Sequence, residues 1–143
     1  MHLDYRLNED RESDWSSATE EDLRYRLALG NLIFQIGDKD FGADWGWIPL
    51  IDLAASFAEI VRRLENGSPS EKFEFTESDA WILFERKGHE VALSASYHSG
   101  FSEVPLHELA REVKKLGEKL GAELTTKYPS IGSNPTFRKL LKE

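Results

Sequence analysis

A strand, a loop and a helix follow one another within residues 32–64, and this succession constrains the fold more than any other stretch. Residues 32–36 place apolar side chains at every second position and end at Gly37, as a half-buried strand does. Residues 38–48 form an acidic, aromatic segment that is typical of a loop. A helix is then predicted for residues 49–64, because the apolar spacing is helical and Pro49 suits the first helical position.

A second amphipathic helix is predicted for residues 105–127, which again begin with a proline. Gly117 interrupts its apolar stripe and Gly121 lies next to that stripe, although glycine costs about 1 kcal/mol in a helix interior. We therefore expect this helix to approach the sheet closely at the two glycines. Near the end of the chain, Asn134 followed by Pro135 is typical of an N-cap and a first helical residue, which predicts a short C-terminal helix.

The remaining apolar patterns indicate strands joined by polar loops. Four segments show a strand pattern: residues 2–7, 72–75, 81–84 and 91–97. The run at residues 81–84 is continuously apolar, which indicates a central strand covered on both faces. Residues 8–17 and 77–79 are polar and acidic and are predicted to be loops. Trp15, alone in the first of these loops, is expected to fold back onto the core.

Residues 19–31 are compatible with two structures. Apolar and polar side chains alternate from Leu23 to Leu29, which indicates a strand, and the alternation shifts by one residue after Gly30 and Asn31. The shift means a bulge or a tight hairpin at these two residues, and one long bulged strand is favoured. Thr19, followed by three acidic residues, is also a suitable helix start, so a helix from Thr19 is the alternative.

Together these patterns predict an α+β fold in a single domain that spans residues 1–143. We expect one mostly antiparallel sheet of four to six strands, with the two long helices packed on one face and the short helix at the C-terminus. The opposite, open face of the sheet should be partly polar.

The chain has a net charge of −8, which disfavours binding to nucleic acid or to anionic membranes. Residues 105–143 are the exception, since they carry eight bases and five acids. The sequence contains no cysteine, no secretory signal pattern and no apolar run of membrane-spanning length. These features predict a cytoplasmic protein.

No recognisable catalytic or cofactor motif is present, so we predict a protein that is not an enzyme and has no cofactor or metal. Asp38, Asp40 and Asp44 superficially suggest a calcium loop, but the glycine and the final glutamate are not at the required positions. The four histidines are isolated. His98 and Ser99 are neighbours on an extended segment, where adjacent side chains point in opposite directions. Phosphate-binding glycine loops are absent.

The most distinctive surface feature is the acidic, aromatic loop at residues 38–48. Charged residues around aromatic side chains are common in protein–protein interfaces. Trp47 directly precedes the helix and is expected to pack down and seat it, whereas Trp45 suits the core and a partner equally. The predicted loop at residues 98–104 could lie beside the first one. The candidate partner-binding residues are Asp38, Asp40, Asp44, Trp45, His98, Phe101 and Glu103.

Four stretches give the chain a resemblance to a family of small uncharacterised bacterial proteins: GNLIFQIGDKDF, DWGWIPLIDLA, the Val-Ala-Leu-Ser-Ala-Ser-Tyr strand that leads to EVPLHELAREV, and YPSIGSNPTFRKLL. In type, this family is similar to the immunity proteins that neutralise polymorphic bacterial toxins. The resemblance implies a protein that binds a cognate toxin domain through its acidic, aromatic surface. The alternative is a small-ligand or regulatory binding domain with a pocket near Tyr97, His98 and Trp81. An enzyme with dispersed carboxylates is a third possibility.

Overall fold

A computed structural model describes residues 1–9, 14–76 and 78–141. Within these ranges the chain has an α+β fold, with eight antiparallel strands in two four-stranded sheets and four α-helices. The strands are β1 (His2–Leu7), β2 (Leu29–Ile36), β3 (Lys39–Asp40), β4 (Ala43–Pro49), β5 (Ser70–Glu74), β6 (Trp81–Lys87), β7 (Glu90–Ala95) and β8 (His98–Pro105). The helices are α1 (Glu20–Tyr25), α2 (Leu50–Glu65), α3 (Leu106–Lys127) and α4 (Pro135–Leu140), with a 3-10 helix at Pro129–Ser133.

The strands form two ladders where one sheet was predicted. In the first sheet, β2 pairs with β1 along one edge and with β3 and β4 along the other. The second sheet has the order β5-β6-β7-β8. The two sheets adjoin where β8 passes β2, and there Ser102 Oγ donates to the Ile36 carbonyl at 3.5 Å. Side-chain alternation predicts that a segment is a strand, but it does not predict which strands share a ladder.

The two long helices cover the inner sides of both sheets. Phe57 of α2 contacts Phe34 of β2, with ring centroids 6.1 Å apart, and also Phe73 and Phe84 of the second sheet, at 5.2 Å and 5.5 Å. The α3 helix packs on α2 and also reaches β1 and β8. The predicted packing of two long helices on one side is therefore correct in outline, and α2 holds the two sheets together.

The helix boundaries agree with the sequence to within one residue. Pro49 and Pro105 each end a strand and take the N-cap position, so α2 and α3 begin one residue later than predicted. The short C-terminal helix is confirmed. Asn134 is its N-cap, and the side-chain oxygen accepts from the amides of Thr136 and Phe137 at 3.0 Å and 3.4 Å.

In residues 19–31 the helix alternative is correct, and the favoured bulged strand is wrong up to Leu29. Thr19 Oγ1 accepts from the Asp22 amide at 3.1 Å, and the Asp22 carboxylate accepts from the Thr19 amide at 3.2 Å. This capping box fixes the start of α1, whose Leu23 is fully buried. Ala28 then takes a left-handed conformation, with φ 55°, which turns the chain into β2.

Both loops that were assigned to the candidate binding surface are largely extended strands. The segment 38–48 contains β3 and most of β4, and the segment 98–104 lies within β8. Gly46 and Gly100 adopt left-handed conformations, with φ of 79° and 87°. Glycine and polar residues at these positions interrupt the alternation by which a strand is recognised.

Trp15 packs into the core as predicted, fully buried and stacked on Tyr128 with ring centroids 4.2 Å apart. Residues 10–13 of the loop predicted at 8–17, and Glu77 of the loop predicted at 77–79, lie outside the described residues.

The glycines of α3 do not bring this helix close to a sheet, and that prediction was wrong. A Cβ placed on Gly117 would meet no atom within 4 Å, and one on Gly121 would lie 3.8 Å from Leu141, just after α4. Gly117 instead lines a groove between α2 and α3. Its cost to the helix is thus not offset by close packing.

Candidate functional site

The acidic residues of the first predicted binding segment are exposed but dispersed. Asp38 lies in the turn after β2, where Gly37 has φ of 60°. Asp40 lies on β3, and its Oδ1 accepts from the Gly42 amide at 2.8 Å. Asp44 is exposed on β4. In the described ranges no group of three or more histidine, cysteine, aspartate or glutamate residues could hold a metal ion.

The two tryptophans of β4 differ in exposure. Trp45 is half-buried, and its ring stacks on Trp47 at 5.3 Å and meets the edges of the Phe75 and Tyr97 rings at 5.0 Å and 5.2 Å. Trp47 is 37% exposed. The expectation that Trp47 seats the helix is therefore wrong, since the next residue, Ile48, takes the buried position before α2.

The three candidate residues of β8 point to both sides of the second sheet. His98 faces inward, where its ring meets the edge of the Phe41 ring at 5.1 Å. The Nε2 atom of His98 is buried and has no hydrogen-bond partner within the described part of the chain. Phe101 and Glu103 alternate with the inward Val104 and point outward. Phe101 is 58% exposed.

The two predicted segments lie side by side, as expected. The Tyr97 hydroxyl, in the turn before β8, donates to the Phe41 carbonyl at 2.6 Å. The Lys39 side chain lies beside Gly100, on which a Cβ would be 3.4 Å from the Lys39 Nζ. Burial and, to a smaller extent, the negative charge of Asp40 raise the pKa of Tyr97, so this phenol stays neutral in the ordinary pH range.

The outward side of the second sheet places Phe101 beside residues that the sequence interpretation did not assign to the binding surface. One row across its four strands consists of Lys72, Leu83, Ser94 and Phe101. Trp81 lies two residues before Leu83 on the same side, with Lys72 Nζ 5.1 Å from its ring centroid. Both Trp81 and Leu83 are only half-buried. The predicted cover on both faces of residues 81–84 was therefore wrong, and the alternation of Lys72 with Phe73 was the available signal for an open side.

The alternative pocket near Tyr97, His98 and Trp81 is not built by these three residues together, because His98 faces inward and Trp81 faces outward. A groove of about 320 Å³ lies between α2 and α3, next to the end of α4. Small and apolar residues form much of its wall: Ala54, Ala58, Val61, Ala110, Val113 and Gly117.

Protein-family models, curated proteins and solved structures all give no match. The resemblance to small bacterial proteins, and the similarity in type to immunity proteins, therefore stay predictions. In the part of the chain that the structure describes, every helix is too short or too polar to cross a membrane.

Proposed function

We propose that this protein is a non-enzymatic, cytoplasmic binding protein of the immunity type, which neutralises a cognate toxin domain by direct contact. One observation carries the proposal. Among the described residues, the large hydrophobic side chains that are exposed belong to Tyr25, Trp47 and Phe101. Two of the three lie in the two adjoining segments that carry the acidic candidates. Aromatic side chains of this size commonly dominate binding energy in protein interfaces.

The charge around these side chains favours a basic partner. Asp44 is exposed three residues before Trp47, and Glu103 is exposed two residues after Phe101. The whole chain carries a net charge of −8. The negative charge of this chain would accelerate its encounter with a basic partner and suppress its binding to acidic proteins. Direct occlusion of a basic toxin surface is thus the action that this arrangement suits.

The experiment is co-expression with the product of the neighbouring gene, followed by purification of the complex and calorimetry. We expect the chain to protect cells from that product and to bind it. Trp47→Ala and Phe101→Ala should each weaken binding by about tenfold or more, as loss of a large aromatic contact does. Tyr25→Ala is the matched control, because Tyr25 is 44% exposed but lies on α1. It should leave affinity unchanged.

The electrostatic part of the proposal is tested by association rates. Asp44→Asn and Glu103→Gln should slow association, and the difference from wild type should shrink as salt is added. Failure of the wild-type chain to bind the neighbouring product or to protect against it would reject the immunity function.

Small-ligand binding is a second candidate, supported by the groove between α2 and α3. Its volume of about 320 Å³ falls at the lower end of the range for ligand pockets. A thermal-shift screen of apolar metabolites should then give stabilisation that Gly117→Leu abolishes, because the added side chain would occupy the groove. If no compound stabilises the wild type, this candidate is excluded.

A further inference from the structure

We infer that the partner binds across the open face of the second sheet, by which we mean the outward side chains of β5 to β8, and that it presents basic residues around an apolar centre. The inference rests on the proposed function and deepens it, because it names the binding face and the chemistry of its partner.

The centre of the open face is apolar and lacks a covering layer. Trp81 and Leu83 are half-buried there, and Phe101 is 58% exposed. Ser94, a small residue, separates Leu83 from Phe101 in the row. The neighbours Ile82 and Phe84 point inward and are fully buried, so the long helices cover only the opposite side. Apolar side chains grouped on one accessible side of a sheet are typical of an interaction site.

The rim of the open face is acidic. Four exposed glutamates take outward positions on its strands: Glu74, Glu85, Glu90 and Glu103. Within the described residues none of the four makes an ion pair, whereas glutamates elsewhere, such as Glu59 and Glu112, do. Unpaired carboxylates around an apolar centre are complementary to a basic surface.

The two lysines of the open face are placed over its aromatic rings. Lys72 Nζ lies 5.1 Å from the Trp81 ring centroid, and Lys87 Nζ lies 5.7 Å from that of Phe101. Four glutamates and two lysines leave this face with a net negative charge, and the ring faces themselves attract cations. The partner's cations therefore fit the acidic rim, whereas the two rings already hold lysines of this chain.

The β3–β4 segment is less suited to the centre of an interface. The Trp45 ring is already packed against Phe75 and Tyr97, and the Asp40 carboxylate already accepts the Gly42 amide. We expect this segment to flank the interface, so Leu83 and Phe101 should contribute more to affinity than Trp47.

The face is tested first with a defined probe, a short amphipathic peptide of leucine and lysine, titrated into the isotopically labelled full chain and followed by NMR. The matched control is the same peptide with glutamate in place of lysine. We expect the lysine peptide to shift amides of β6, β7 and β8, with binding weakened by salt, and the glutamate peptide to shift none. Shifts confined to other elements, or no binding, would overturn the inference.

Variants separate charge from packing. Glu85→Gln and Glu103→Gln should each lower the affinity for the lysine peptide about threefold, the usual effect of losing one exposed charge pair. Lys87→Gln should raise this affinity, since the substitution removes a charge that repels the lysine peptide. Phe101→Ala should weaken it about tenfold, and its exposure makes unfolding of the variant no concern. Glu65→Gln is the control, because Glu65 is exposed on α2, outside the face. Equal effects of Glu65→Gln and Glu85→Gln would refute site-specific attraction.

The product of the neighbouring gene then distinguishes this inference from the proposed function. If that product binds and only Trp47→Ala weakens it, the function holds and the open face is wrong. If it does not bind but the lysine peptide maps to the open face, the immunity function is wrong and the face stands. Dimerisation of the wild type that Leu83→Arg abolishes would assign the face to a second copy and overturn the inference.

Discussion

Replacing Asn134 by alanine should destabilise the protein more than any loss of an exposed contact, because one side chain ties both ends of the chain. Asn134 is 2% exposed. Its Nδ2 donates to the carbonyls of Trp15 and Ala18, both at 2.9 Å. Its Oδ1 accepts from the first amides of α4, at 3.0 Å and 3.4 Å. The residue therefore caps α4 and holds residues 14–18 against it.

The magnitude follows from two separate losses. Removal of an N-cap side chain costs about 1 kcal/mol. The substitution also removes the two hydrogen bonds that Nδ2 donates, each worth about 1 kcal/mol, although the Trp15 carbonyl keeps the Ala18 amide as a donor at 3.3 Å. We therefore assign about 2 kcal/mol to the tie and expect Asn134→Ala to lower the free energy of unfolding by about 3 kcal/mol.

Urea denaturation, followed by tryptophan fluorescence and extrapolated to water, measures this change. Asn134→Ser is the matched control, because a serine hydroxyl can cap α4 but is too short to replace the amide tie. It should lose about 2 kcal/mol, so the difference between the two variants isolates the cap. A loss below about 1 kcal/mol for Asn134→Ala would refute the reasoning. Equal losses for both variants would show that the cap on α4 contributes nothing to stability.

Three further predictions concern stability. Gly117→Ala should stabilise the protein by about 1 kcal/mol in the same assay, because alanine favours the helix and the new Cβ meets no atom within 4 Å. Burial alone would raise the pKa of Asp4, but hydrogen bonds from Lys119 and a neighbouring amide outweigh burial and lower that pKa. The unfolded chain therefore binds more protons than the folded one, so the free energy of unfolding should decrease as the pH is lowered below about 4. Asp4→Asn should make that decrease smaller. Arg24→Gln should lower the free energy of unfolding by about 2 kcal/mol, because it removes the charged partner of the buried Asp52 carboxylate, 2.6 Å away. In a double-mutant cycle, adding Asp52→Asn should restore at least half of that free energy.

The two long helices and α4 were predicted well because their signals are local. The apolar spacing of α2 and α3 and the Asn134-Pro135 pair lie within a few residues of the element that they specify. For α1 the local signal was also present, but the alternation after it was given more weight. The capping box between Thr19 and Asp22 predicts a helix, whereas the alternation that begins at Leu23 predicts a strand. The cap is the stronger signal, because its hydrogen bonds stabilise the first turn of a helix, whereas alternation only indicates that one side is buried.

The sheets were predicted poorly because strand pairing depends on residues far apart in the sequence. β2 pairs with β1 through residues 30–35 but divides its other edge between β3 and β4. Nothing within residues 29–36 indicates this division. Gly100 and Gly46 likewise concealed β8 and β4 as strands, since their left-handed conformations fit turns as well as irregular strands.

The candidate site shows the same limit. Which residues are acidic or aromatic is evident from the sequence, whereas the side to which each points depends on register. Alternation along β8 separates His98 from Phe101 and Glu103 once that segment is known to be a strand. In β4, by contrast, Trp45 and Trp47 share a side, and only the position of the Phe75 and Tyr97 rings decides which of the two is more covered.

The continuous apolar run at residues 81–84 connects the fold to the proposed interface. Such a run is typical of a strand covered on both sides, yet α2 and α3 both pack on the inner side, where Ile82 and Phe84 are fully buried. Trp81 and Leu83 consequently keep apolar surface in contact with water, which a protein that acts alone gains nothing by retaining. Another protein bound to the outward side would cover Trp81 and Leu83, so that the whole apolar run at residues 81–84 would be buried on both sides of the sheet.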